Sequence, residues 1–227
     1  MYLASLLFKF FVLAFTALLP LINPLGSSLV LMGLVGPAPE DVYRSLARRV
    51  AVDMVLFLAV IELVGAGILA FFGISLPVVQ VAGGLVLAAM GWSLLNEKDS
   101  AKPPAVNLVS EVPELMSSLE SKAFYPLTFP VTAGPGCIVV VLTVTAHAES
   151  HHLTETVVSH AGVFLAVVAL GILIYFSYAY APKITRLIPP QTAHGVLRVI
   201  AFILLCIGVQ IAWNGVVGLL AALPAHP

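Results

Sequence analysis

The chain has 227 residues, of which 60% are hydrophobic and only 9% are charged, and its mean hydropathy is +1.08. This composition predicts an integral membrane protein and excludes a soluble globular domain. A net charge of −1 without a basic cluster argues against nucleic acid as a partner, so the expected surroundings are a lipid bilayer. The two cysteines, Cys137 and Cys206, fall inside apolar runs and give no sign of a structural disulfide.

We predict an all-α integral membrane protein in which six transmembrane helices form a 3+3 inverted repeat. The apolar runs that define the spans are Leu3–Gly36, Val50–Phe72, Leu76–Leu95, Ala123–Ala146, Val157–Ala181 and Val196–Leu220. A polar linker loop at residues 97–122 separates a first three-helix repeat (1–96) from a second (123–227). Because three is an odd number, the second repeat enters the membrane from the opposite face and is inverted relative to the first.

The first span is predicted to be broken near the bilayer midplane. Asn23 is a preferred N-cap and Pro24 is preferred at the first helical position, so a new helix begins at Pro24 and includes Gly26 in its first turn. About 13 residues flank the break on each side, which gives roughly 20 Å of helix per arm against a hydrocarbon core of about 30 Å.

The fourth span is predicted to be broken in the same way. Gly134 can serve as N-cap and Pro135 as first helical residue, with apolar arms at Ala123–Ala133 and Pro135–Ala146. Two broken helices at corresponding positions of two halves indicate the binding site of a transporter. Such breaks persist in a membrane only where they are buried in protein or line a cavity.

The two restarted helices would point their positive ends and free amide hydrogens at an anionic group such as a carboxylate. The candidate substrate-binding residues are Asn23, Pro24, Gly26, Thr132, Gly134, Pro135 and Gly136. Thr132 is included because its hydroxyl could either contact the ligand or satisfy freed backbone groups. The competing interpretation is a structural kink held by neighbouring helices.

Glu62 is the one acidic residue deep within the second apolar run. An ionisable group there is costly, and it is a candidate for binding a coupling ion, H⁺ or Na⁺, or for facing a substrate ammonium group. The alternatives are a neutral, protonated side chain hydrogen-bonded to another helix, or a position nearer the outer interface. Asp53 lies four residues after Arg49, where a local ion pair is the expected role.

Lys and Arg are distributed unequally between the loops on the two sides of the membrane. One side has only Lys9, and the other carries Arg44, Arg48, Arg49, Lys98, Lys102, Lys122, Lys183, Arg186 and Arg198. Because positive loops stay in the cytoplasm, both termini are predicted to lie outside, in the periplasm.

Several further residues have a structural interpretation beside a functional one. Gln80, Gln210 and Asn214 could line a path or form interhelical hydrogen bonds. Tyr175, Tyr178 and Tyr180 are assigned to the interfacial aromatic belt. Small residues, among them Gly65, Gly67, Gly83, Gly84, Gly91 and Gly208, are assigned to helix packing, and the glycine-rich third span also leaves a homo-oligomer open. For His147, His151 and His152, a solvated outer loop is favoured over metal binding.

Four motifs, taken together, resemble the MarC family, also designated UPF0056. They are Leu18–Leu21 with Asn23–Leu25, Phe72–Ser75 with Ala82–Gly84, Pro126–Leu127 and Pro130 with Ala133–Gly136, and Gly208–Gln210 with Asn214–Gly215. The likeness covers nearly the whole chain in the correct order. It implies a bacterial inner-membrane protein of six spans, distantly similar to the lysine-exporter superfamily. Some members of the MarC family transport small neutral amino acids such as glycine and alanine, driven by an ion gradient.

These observations favour a multi-pass secondary transporter of small neutral amino acids that works by alternating access. The alternatives are an exporter of another small metabolite, or a non-transporting membrane component of a complex. The sequence has no catalytic motif of the hydrolase or metalloprotease types, so we expect no enzymatic activity, no cofactor and no resident metal.

Overall fold

The computed structural model describes residues 1–36, 38–96, 122–148, 152–187 and 190–222, and nearly all of them are helical. The helices are α1 (Tyr2–Ile22), α2 (Pro24–Val35), α3 (Glu40–Phe71), α4 (Leu76–Leu95), α5 (Pro135–Ala148), α6 (Leu153–Ala179), α7 (Ala181–Leu187) and α8 (Pro190–Ala221). Residues Ala123–Thr132 form an irregular helical stretch, which we call the proline segment. Residues 97–121 of the predicted linker lie outside the described residues.

The described helices supply five or six membrane crossings. Five stretches are long and apolar enough to cross a bilayer: α1 with α2 as far as Met32, then α3, α4, α6, and α8 from Arg198 onward. The proline segment and α5 meet at an angle of 66° and provide a sixth crossing if the pair counts as one span. The described residues contain no β-strand. The all-helical, multi-span character predicted from the sequence is therefore confirmed.

Helix α3 begins ten residues before the predicted start of the second span. Its first turn contains Glu40 and Asp41, whose negative charges suit the positive end of a helix. Arg44 lies one turn further on, with its Nη2 atom 3.3 Å from Oε2 of Glu40. The prediction located only the apolar part of the helix, because hydropathy marks the length that suits hydrocarbon and not the polar turns beyond it.

Helix α6 lies at the centre, packed against α1 on one side and α3 on the other. Gly162 allows the α1 backbone to approach, since a Cβ atom there would lie 2.5 Å from the carbonyl oxygen of Leu7. Gly171 faces Val55 of α3 in the same way. The face of α1 buried in this contact repeats every four residues and consists of Phe10, Ala14, Leu18 and Ile22.

Helices α4 and α8 pack against each other backbone to backbone. A Cβ atom on Gly84 would lie 2.6 Å from the carbonyl oxygen of Gly208, and one on Gly91 would lie 2.8 Å from that of Ala201. As residue numbers rise along α4 they fall along α8, so the helices are antiparallel. The packing role predicted for these glycines is confirmed, whereas Gly67 has no described atom within 4 Å of the position its Cβ would take.

We expect Gly84→Ala to lower the thermal unfolding midpoint of the detergent-purified protein, because the added methyl group would overlap the α8 backbone. Gly67→Ala is the matched control: its methyl group would enter open space among the described residues, and the helix propensity of alanine favours it by about 1 kcal/mol. Thermal unfolding followed by fluorescence measures both variants. Equal midpoints would contradict the close contact between α4 and α8.

Candidate functional site

The chain leaves helical geometry at Asn23, which we call the first break. Asn23 has φ 44° and ψ 69°, a left-handed conformation that asparagine tolerates better than most residues. Its Oδ1 atom accepts a hydrogen bond of 3.0 Å from the amide of Gly26. Pro24 follows as the first residue of α2, where its missing N–H group costs α2 no hydrogen bond within that helix.

Gly26 allows the asparagine cap to form. A Cβ atom at this position would overlap the side-chain amide of Asn23, with its Cγ atom 2.7 Å away. Any larger residue would therefore displace the cap. Because the amide of Gly26 is bonded to Asn23, the N–H group at the start of α2 that has no described partner belongs to Leu25.

The proline segment, which occupies the apolar arm predicted at Ala123–Ala133, is not a regular α-helix. Tyr125 and Phe129 have extended backbone angles, because a proline follows each of them and disfavours helical geometry at the preceding residue. The hydroxyl group of Thr128 donates to the carbonyl oxygen of Ala123 at 2.9 Å, which adds a side-chain hydrogen bond to the irregular backbone. The sequence located this apolar arm but did not specify its irregular backbone.

Helix α5 begins after a second break at Ala133–Gly134. Pro135 is its first residue, and the amide of Cys137 donates to the carbonyl oxygen of Gly134 at 2.9 Å. The amide of Gly136 donates to no described residue. Each restarted helix thus has an N–H group without a described partner directly after its first proline.

The two breaks lie next to each other. A Cβ atom on Gly136 would lie 2.7 Å from Cδ2 of Leu21, the residue two positions before Asn23, and would also overlap the side chain of Leu87 on α4. Gly136 is therefore required for the start of α5 to reach the end of α1. Residues 111 positions apart in the sequence, Asn23 and Gly134, flank one contact region.

Tyr178 of α6 joins the two breaks through its hydroxyl group. The hydroxyl oxygen lies 2.6 Å from Oγ1 of Thr132, at the end of the proline segment. It also lies beside the side chain of Ser27, in the first turn of α2. Tyr178 is fully buried, and Thr132 and Ser27 are buried as well.

The hydroxyl group of Tyr178 donates its proton to Thr132. Thr132 donates its own proton to the carbonyl oxygen of Leu127 at 2.7 Å, so its hydroxyl oxygen accepts from Tyr178. Ser27 likewise donates to the carbonyl oxygen of Asn23 at 2.8 Å. Tyr178 is thus hydrogen-bonded beside the second break and lies next to the first.

Sequence reasoning missed Tyr178 by assigning it to the interfacial aromatic belt. That prediction was wrong, because the residue has 0% exposure. A helical repeat could have located it, since Tyr178 continues at four-residue and three-residue steps the buried positions Val163, Val167, Leu170 and Ile174. Tyr180 is exposed at 41%, as an interfacial residue would be.

Glu62 is buried but does not lie at the breaks. Its Oε1 atom is 3.4 Å from Nδ1 of His160, which sequence reasoning did not single out. His160 and Tyr178 are 18 residues apart on α6, which corresponds to about 27 Å along a helix. The expected local ion pair of Asp53 is confirmed, with Oδ2 3.5 Å from Nε of Arg49.

The remaining polar candidates bond to protein groups. Gln80 donates to Oγ1 of Thr143 on α5 at 3.2 Å, which is the interhelical alternative of its prediction. On the exposed side of α8, Gln210 donates to Oδ1 of Asn214 at 2.9 Å. Nδ1 of His147 lies 2.7 Å from the carbonyl oxygen of Thr143, and His151 lies outside the described residues.

Comparison with known proteins identifies a family, and the matches cover nearly the whole length of both the chain and its relatives. Residues 8–220 match the model of the MarC family integral membrane proteins. The chain is 32% identical over 217 residues to the inner membrane protein MarC of Citrobacter koseri, and this match covers 92% of the chain and 95% of the relative. It is 29% identical over 210 residues to a UPF0056 membrane protein of Pyrococcus horikoshii, covering 92% and 96%. No solved structure matches the chain.

We expect Tyr178→Phe to lower the thermal unfolding midpoint, because the buried ring remains but its hydrogen bond to Thr132 beside the second break is lost, at a cost of about 1 kcal/mol. Tyr180→Phe is the control, since that ring is exposed and lies under Nζ of Lys183 at 5.6 Å, a contact that phenylalanine preserves. The same unfolding assay compares both variants with the original protein. A midpoint for Tyr178→Phe no lower than that of the control would show that the hydroxyl does not hold the breaks together.

Proposed function

Because the chain belongs to the MarC family of integral membrane proteins, we propose that it is a secondary transporter of a small neutral amino acid, of the glycine and alanine class, working by alternating access. The protein is a multi-pass protein of the inner membrane, like its MarC relatives. With nine of ten basic residues on one side, we place both termini in the periplasm. The substrate site of this proposal lies where the two breaks meet.

The observation that carries the proposal is the meeting of the two breaks around Tyr178. One hydroxyl group contacts Ser27 beside the first break and Thr132 beside the second. Interrupted helices that adjoin inside a membrane protein are the usual construction of a transporter's binding site. A kink that served only to bend one helix would not need a second break beside it.

Helix directions and pairings support an inverted repeat. Helix α6 runs parallel to α1, since Gly162 adjoins Leu7 and Tyr178 adjoins Ser27, and antiparallel to α3. In such a repeat α1 corresponds to the fourth span, α3 to α6, and α4 to α8. The contacts between α4 and α8 and between α3 and α6 therefore join corresponding helices. The contact between α1 and α6 corresponds to that between the fourth span and α3, which is also present. Two such halves can move against each other about a shared site.

The groups available at the breaks suit a zwitterion. The amides of Leu25 and Gly136 lie at the positive ends of α2 and α5 and donate to no described residue, so they can bind a carboxylate. The end of α1 supplies the opposite charge, because Pro24 has no N–H group for the carbonyl oxygen of Pro20. That oxygen can accept from an ammonium group.

The crowding of the region favours a small substrate. A single methyl group added at Gly136 would overlap two leucine side chains, and one added at Gly134 would lie 3.1 Å from the carbonyl oxygen of Pro130. Any substrate would require the two breaks to separate, and a small one would require the least movement. Glycine and alanine are the smallest amino acids.

We expect Asn23→Ala and Gly134→Leu to abolish exchange of glycine and alanine in proteoliposomes while both variants still insert. Alanine removes the cap and disfavours the left-handed conformation of Asn23, and leucine would fill the space beside the second break. The loss of one hydrogen bond to a charged group costs about 1.5 to 3 kcal/mol, which lowers the affinity for the substrate by about tenfold or more. Counterflow of labelled amino acid provides the measurement.

Gly67→Leu is the matched control, because its side chain would enter a region without described neighbours. Counterflow in the original protein that persists in both break variants would refute the assigned site. Counterflow of another metabolite, with none for amino acids, would indicate an exporter of that compound. The absence of any exchange, together with a stoichiometric co-purified partner, would indicate a non-transporting membrane component.

A further inference from the structure

Glu62 and His160 form a buried contact that the proposed substrate site does not use. The side chain of Glu62 is 2% exposed and that of His160 is 25% exposed, and their closest atoms are 3.4 Å apart. Neither of these two atoms makes a hydrogen bond of good geometry to a described residue. A carboxyl group and an imidazole ring in apolar surroundings, each without another partner, depend on each other to balance charge.

The pair connects the two proposed halves of the protein. Glu62 lies on α3 of the first half, and His160 lies on α6 of the second. Tyr178, near the other end of α6, also contacts both halves. Helix α6 is thus tied to the first half at two points about 27 Å apart, one polar but neutral and the other ionisable.

The number of protons on Glu62 and His160 determines whether the contact between α3 and α6 is stable. With one proton shared between the two groups, the pair is either two neutral groups or a carboxylate with an imidazolium, and its net charge is zero. A second proton leaves a positive net charge between the helices, and loss of the shared proton leaves a negative one. An isolated charge in an apolar contact is costly, so a change in proton number would weaken the packing of α3 on α6 at this level.

We propose that Glu62 and His160 together bind the coupling proton of the transporter, at a site separate from the substrate site and at the opposite end of α6. This inference rests on the proposed transport function. The proton enters the pair from the medium on one side, opens the contact between α3 and α6, and leaves to the other side after the halves have moved. Histidine is the side chain suited to this task, because it gains and loses a proton near physiological pH.

Other titratable groups stand on the elements that pack around the pair. Lys9 of α1 is exposed, with Nζ 5.7 Å from the ring centre of Phe10, and Asp53 of α3 is paired with Arg49. The others on these elements are Tyr2 on α1, Glu40, Asp41, Tyr43, Arg44 and Arg48 on α3, Glu155, Tyr175 and Tyr178 on α6, Cys137 and His147 on α5, and Tyr125 in the proline segment. Glu62 has only His160 as an ion-pair partner among the described residues.

Infrared titration of the purified protein between about pH 5 and pH 8 tests the pair directly. We expect a pH-dependent band of a protonated carboxyl group that is absent from Glu62→Gln. In His160→Gln we expect the midpoint of this band to move by about one pH unit or more, because the partner is gone. Asp53→Asn and His147→Gln are the controls and should leave the midpoint unchanged. A band that survives in Glu62→Gln, or a midpoint unaffected in His160→Gln, would overturn the proposal.

Transport measurements separate the failure of this proposal from that of the proposed function. In proteoliposomes, we expect Glu62→Gln to retain glycine or alanine counterflow but to lose accumulation driven by a pH gradient, by about tenfold or more. Accumulation that follows the pH gradient equally in this variant, or that follows a Na⁺ gradient in the original protein, would reject the pair as the coupling site. An infrared result as expected in a protein without counterflow would refute the transport function while leaving the proton site in place.

Discussion

Backbone groups that are freed inside a membrane must find partners within the protein, because no water is present to hydrogen-bond them. This constraint determines which residues surround both breaks. Asn23 caps α2 with its own side chain, and the threonines of the proline segment donate to carbonyl oxygens five residues earlier. Once these bonds are made, the amides of Leu25 and Gly136 still have no described partner. A region in which most polar groups are hydrogen-bonded and a few backbone groups are not is suited to binding a small polar ligand.

Glycine allows these polar groups to come together. Gly26 makes room for the side chain of Asn23, and Gly136 lets α5 reach the end of α1. Gly84 and Gly208 bring α4 and α8 into backbone contact at the side of the molecule. Because lipid gives helices no hydrophobic reason to associate, such close approach supplies the packing that holds the spans together. The same small side chains limit the volume that a substrate could occupy.

Helix α6 connects the proposed substrate site with the proposed proton site. Tyr178 lies in its last turn, hydrogen-bonded to Thr132 and next to Ser27, and His160 lies in its first half beside Glu62. Both contacts join α6 to elements of the first three spans. A movement of α6 relative to α3 would therefore change the contacts of both Tyr178 and His160. One rigid helix thus provides a physical route for the proposed coupling.

The sequence by itself determined the membrane class, the helical spans and the family, because hydropathy and short motifs are local properties. It also indicated Asn23 as a cap and Pro24 and Pro135 as helix starts, since capping depends on neighbouring residues. Only the tertiary structure decided that Tyr178 is buried between the breaks and that His160 faces Glu62. These contacts join residues more than 40 positions apart, and the register between packed helices, which sets them, depends on side-chain shapes along the whole interface.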